Sequence, residues 1–176
     1  MKRKIISATI LVVLIVSGIV GYNFYSGAFT LTPPTPEEQT AAEKSIEAAF
    51  TDESAPLSEK DKYLALFPDS LDEYTMQNKI HNMSHQKVHA EDKWGHVQIT
   101  KAKVDRLLEV AKANTVNYSH EKKYIEILTR WSEGDFSKAV EDHNTIWKLQ
   151  EGTIGEAQRL MTPVEELQYI EEHFKK

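Results

Sequence analysis

The sequence predicts an all-α protein: an N-terminal transmembrane helix, then a small extracytoplasmic helical bundle. Three observations predict it. Residues 5–25 are uncharged and mostly apolar, and Lys2, Arg3 and Lys4 precede them. Further on, helix-start signals recur ahead of apolar residues spaced three and four apart. No stretch alternates convincingly as a strand, since HVQIT at 96–100 is too short to carry a sheet.

The apolar run is the first element. Its 21 residues from Ile5 to Tyr25 would span roughly 31 Å as a helix, about one hydrocarbon core. The three cations predict a cytoplasmic N-terminus, and Tyr22, Phe24 and Tyr25 suit the outer interface. The predicted location is therefore the cell membrane, single-pass, with the C-terminal domain outside. The alternative is a signal peptide cleaved near Ala28, at the small-x-small site Ser26-Gly27-Ala28, which would secrete the body. Apolar regions of such peptides run to about 7–15 residues, which favours the uncleaved anchor. The organisation is then a basic start at 1–4, a signal anchor at 5–25, a proline-rich linker at 26–36 and a helical domain at 37–176.

Thr35-Pro36-Glu37-Glu38 carries a capping threonine, a proline at the first helical position and a glutamate three residues after the cap. The helix it opens runs to about 50, with Ala42, Ile46, Ala49 and Phe50 inward. Ser58–Asp61 opens a shorter helix through Leu64 and Phe67. Ser70–Glu73 opens a long one that Gly95 ends. Thr100 starts the next, with Val104, Leu107, Leu108 and Ala111 at helical spacing. Another spans about 119–132, with Tyr124, Ile125, Leu128 and Trp131 on one side. After the turn at Glu133-Gly134-Asp135 comes a helix bearing Phe136, Val140, His143 and Trp147. Thr162-Pro163-Val164-Glu165 caps the last.

Composition excludes several functions. The chain has no cysteine, which removes disulfides, thiolate metal sites, thiol nucleophiles and a lipidated cysteine anchor. Without its first three cations the chain keeps 18 basic residues against 27 acidic ones, a charge of −9. A body that acidic repels phosphate backbones, so nucleic acid is not a partner. GTIGEA at 152–157 has neither the preceding strand nor the lysine of a phosphate loop and reads as a turn between helices. No serine sits in a nucleophile elbow, and no paired carboxylates stand out.

The most pointed pattern is IHNMSHQKVHAEDKWGH at 80–96, with His81, His85 and His89 four residues apart. On a helix over 71–94, Met76, Ile80, Met83, Ala90 and Trp94 fall within about 40° of one line and form the core stripe. The three histidines lie opposite. One reading is a metal site of His81, His85 and His89 with Asp92, taking Zn²⁺, Cu²⁺ or Ni²⁺. Asn82 stands where a zinc protease needs its glutamate base, so that mechanism is absent. A second reading is a pH switch, with three imidazoles charging as pH falls through about 6.5. The third is a polar helix face with no ligand, which the cap and core stripe already explain. His143 stands apart, in the middle of an apolar face with Asn144 beside it. His143 reads either as a satisfied core histidine that fixes how helices meet or, with Asn144, as a buried polar site in which it faces another helix, such as that of the histidine ladder.

Two resemblances arise. YIEILTRWSE followed by GDFSKAVEDHNTIW resembles one helix pair of a tetratricopeptide repeat, with Trp131, Gly134, Asp135, Phe136 and Ala139 at the motif's positions. No second copy lies about 34 residues away, so it implies one hairpin and no array. His85-Gln86-Lys87, Lys93-Trp94-Gly95, His143-Asn144 with Trp147, and Gly152–Ala157 resemble an uncharacterised family of small membrane-anchored proteins from Bacillus-type bacteria. That resemblance implies a Gram-positive cell surface and brings no activity with it. The resulting expectation is a non-enzymatic, membrane-anchored domain with no catalytic residues and no required cofactor, interacting with an envelope protein. The alternative is a metal- or pH-responsive module, or a metal-assisted enzyme, on the histidine face.

Overall fold

A computed structural model describes residues 33–51 and 65–175. The anchor at 5–25, most of the linker and the start of the helix expected from Ser58 lie outside the described residues. Six helices are bounded within them: α1 (Pro36–Thr51), α2 (Glu73–Ser84), α3 (Lys101–Ala113), α4 (Glu121–Ser132), α5 (Ala139–Leu149) and α6 (Pro163–Phe174). Two short strands, β1 (Val88–Ala90) and β2 (Ala157–Leu160), pair antiparallel with Val88 opposite Leu160. Among the described residues no helix is long and apolar enough to cross a membrane.

The starts follow the capping chemistry. Thr35 accepts from the Glu38 amide while Glu38 accepts from the Thr35 amide, and Thr162 and Glu165 repeat this reciprocal box at α6. Thr100 caps α3 as expected. At α2 the cap is Asp72, which accepts from the Thr75 amide at 2.9 Å, and not Ser70. The chain packs α3 on α4, α2 on α5 and α1 on α6. Phe67, Met76, Ile80, Met83, Leu107, Tyr124, Leu128, Trp131 and Ile146 fill one core.

The long histidine helix is corrected most. It stops at Ser84, ten residues before the expected end, and the chain turns into β1. Gln86 explains the stop. Its side-chain oxygen accepts from the Ile99 amide at 3.0 Å and its nitrogen donates to Glu166 at 2.9 Å, both buried contacts that tie the turn to α6 and to the loop before α3. The core stripe therefore ends with Met83. Ala90 is buried in β1, and Trp94 is 77% exposed. HVQIT forms no strand, while GTIGEA, expected as a turn, leads straight into β2.

Helices α4 and α5 are joined by the expected turn, with Gly134 at φ +80° and Asp135 accepting from the Ser137 amide. The Trp131 indole donates to Asp142 at 3.0 Å across it, and Arg130 pairs with the same carboxylate. The two do not pack along their lengths as a repeat-like hairpin. Each gives its apolar face to another partner, α4 to α3 and α5 to α2.

Candidate metal centre

The α2–α5 packing decides the site. His81 in the last turn of α2 and His85, the residue that caps its C-terminus, meet His143 of α5. Ring centroids are 4.8 Å apart for His81–His85, 4.5 Å for His81–His143 and 5.4 Å for His85–His143. One ring nitrogen from each lies within 4.8 Å of the other two. His85 and His143 are 2% and 0% exposed, and His81 is half-buried.

Hydrogen bonds fix which nitrogen each ring offers. His81 Nδ1 lies 2.5 Å from Gln150 Oε1, while the Gln150 amide nitrogen donates to Asn78 Oδ1 at 2.7 Å. That amide oxygen only accepts, so Nδ1 carries the proton and Nε2 keeps its lone pair. His85 Nδ1 donates to the Gly95 carbonyl at 2.8 Å, which again leaves Nε2 with the lone pair. His143 Nε2 donates to the Gly155 carbonyl at 3.0 Å and keeps the lone pair on Nδ1. That Nδ1 is 2.8 Å from Ser84 Oγ, whose single proton also reaches the His81 carbonyl at 2.6 Å. Each imidazole is thus oriented by an acceptor on its far side, the arrangement found behind metal-bound histidines.

Two glycines build that outer shell. Gly155 has φ +87°, and a Cβ there would sit 2.6 Å from the Asp92 carbonyl; Gly95 has φ +83°, with Asn82 equally close. Side-chain-bearing residues resist this left-handed backbone. The turns therefore need glycine in order to aim their carbonyls at His143 and His85.

Burial sets the protonation state. It pulls His85 down to about 3, against the Gly95 hydrogen bond and with help from His81, His143 and Lys93. Burial likewise takes His143 down to about 4, and lowers His81 against the Gln150 bond. All three rings are neutral at pH 7, the form that ligates metal. Three imidazoles from two helices can hold one transition-metal ion. Bonds of about 2.0 Å would bring the nitrogens to roughly 3.3–3.5 Å apart, closer than the 4.8 Å within which they lie.

The sequence-selected residues divide. His81, His85 and His143 come together. His89 lies in β1 opposite Arg159, with a buried Nδ1 that has no partner, and it is not in the cluster. Asp92 is exposed on the following loop. Both fall away because α2 ends before either could extend its face. Asn144 docks β2 instead, donating to the Ala157 carbonyl at 3.0 Å and accepting from the Ala157 amide at 2.8 Å. Sequence reasoning missed Ser84, Gln150 and the two glycine carbonyls. It also missed a neighbouring group in which His96 contacts the Tyr169 hydroxyl at 2.6 Å and stacks on His173 at 3.9 Å. The one available signal was a surplus of histidine, seven residues in 176.

Residues 80–171 match a family described as a family of unknown function (DUF6241). The chain belongs to this family. The matched DUF6241 region takes in His81, Ser84, His85, Gly95, His143, Gln150 and Gly155, so the cluster and most of its outer shell lie inside it. No curated protein and no solved structure matches the chain.

Proposed function

We propose that this DUF6241 protein binds a transition-metal ion through His81, His85 and His143, in an exported domain held at the outer face of a membrane by residues 5–25. The carrying observation is the three-imidazole cluster, two rings buried and one half-buried, with one nitrogen of each ring hydrogen-bonded to an oxygen acceptor. An unliganded core imidazole needs its polar atoms satisfied. Three gathered together, one of them sharing the Ser84 proton with a carbonyl, offer a donor set that a cation can bridge. The basic start and the apolar run support the anchor and its orientation. The domain serves as a metal-holding module and not as an enzyme.

A second reading, contact with an envelope protein, draws support from Trp94 and Ile154, 77% and 56% exposed. They sit on loops that meet where Gly155 closes on Asp92. Metal content separates the two. Full-length protein in mild detergent is equilibrated with Zn²⁺, Ni²⁺ and copper, desalted and measured by mass spectrometry. About one ion per chain is expected in the wild type and in His89→Ala, with loss in His143→Ala. An unloaded wild type, or loading indifferent to His143, would leave the envelope-contact reading.

A further inference from the structure

We infer that the ion this centre selects is Cu(I) in preference to a divalent cation. The inference rests on the metal-binding reading and adds the identity of the metal. Among the described residues the gathered donors are three imidazoles and no carboxylate. The ion would therefore bring its whole charge into a site where two of the ligands are at most 2% exposed. The desolvation cost of a buried charge grows with its square, so that cost is about four times larger for a divalent ion than for a monovalent one of similar size. The neighbourhood adds to this, because Lys93 donates to the His85 backbone carbonyl at 2.9 Å and its charge acts against a further cation at that residue.

Coordination number points the same way. Zn²⁺ takes four ligands, with a water completing a three-histidine set, whereas the side chain packed against His143 Nδ1 is the Ser84 hydroxyl, which is fully buried and bonded to the His81 carbonyl. Cu²⁺ favours a tetragonal set of four donors in a plane, and three imidazoles are gathered here. Cu(I) is satisfied by two or three nitrogen donors and asks for no further ligand. The chain has no thiol to compete for it. Binding transfers no proton, because the accepting nitrogens already carry lone pairs. Ser84 then donates its proton wholly to the His81 carbonyl.

The test is anaerobic competition of the full-length protein in detergent against bicinchoninate-bound Cu(I), beside the same protein against a chromophoric Zn²⁺ chelator. Cu(I) is expected to bind one per chain, tighter than Zn²⁺ by about tenfold or more, at least about 1.4 kcal/mol, with binding lost in His143→Ala and kept in His89→Ala. Zn²⁺ binding as tightly or tighter, with the same histidine dependence, would overturn the Cu(I) assignment and leave the metal site standing. No histidine-dependent binding of either ion would overturn both. Ser84→Asp places a carboxylate beside His143 Nδ1 and is expected to narrow the Cu(I)–Zn²⁺ gap by tenfold or more. An unchanged gap in a folded Ser84→Asp protein would contradict the charge argument; if that variant does not fold, the wild-type comparison alone decides.

Discussion

At the scale of single residues, the site depends on backbone conformation as much as on imidazoles. Gly155→Ala forces a Cβ against the Asp92 carbonyl and strains a backbone at φ +87°. We expect a loss of at least about 2 kcal/mol in urea unfolding, the left-handed penalty alone being roughly 1–2 kcal/mol. Gly95→Ala should cost less, because the obstructing atom is the Asn82 side-chain amide, which can swing aside. Wild-type stability in Gly155→Ala would show that the turn does not need its glycine. Of the clustered residues, His81 and His85 stood out in the sequence by their spacing, and His143 as an imidazole in the middle of an apolar helix face. His89 and Asp92 were chosen because a helix wheel continues wherever it is drawn. The carbonyls of Gly95 and Gly155 were invisible because a backbone acceptor leaves no residue-type signature, and its aim depends on packing.

At the scale of elements, caps were the readable part and stops were not. Thr35, Thr100 and Thr162 act locally, each on an amide three residues ahead, so short-range pattern finds them. The end of α2 is set by Gln86 reaching Ile99 and Glu166, contacts thirteen and eighty residues away in sequence. No local window holds that information. The same limit hid the sheet, whose strands lie about seventy residues apart and are too short to show alternation. Asn144 holds β2 to α5 by copying a strand partner. Its replacement by alanine leaves the Ala157 amide and carbonyl without it, and Ala157 is 5% exposed. A loss of about 1–3 kcal/mol is expected, read as a lower urea midpoint. A midpoint within error of the wild type would mean that water replaces both bonds. In Thr162→Ala the expected loss is about 1 kcal/mol, since one cap of α6 goes.

At the scale of the whole molecule, the buried imidazoles make stability depend on acid. Their folded pKa values lie below the unfolded value of about 6.5, at about 3 for His85 and about 4 for His143. Below pH 6.5 the unfolded chain binds protons that the folded chain refuses, so stability falls as pH falls. Between pH 7 and pH 5 the loss should approach about 2 kcal/mol for each of the two. Urea midpoints at the two pH values check it. The response differs from that of a wet histidine ladder charging in the folded state, which would appear as folded-state imidazole NMR signals titrating near 6.5. A bound ion opposes the loss by stabilising the folded form. The central claim is that His81, His85 and His143 share one ion. X-ray absorption on metal-loaded full-length protein counts imidazole ligands directly. Three are expected in the wild type and in His89→Ala, and two or no retained metal in His143→Ala. A wild-type count below three, a count unmoved by His143→Ala, or one reduced by His89→Ala, would contradict it.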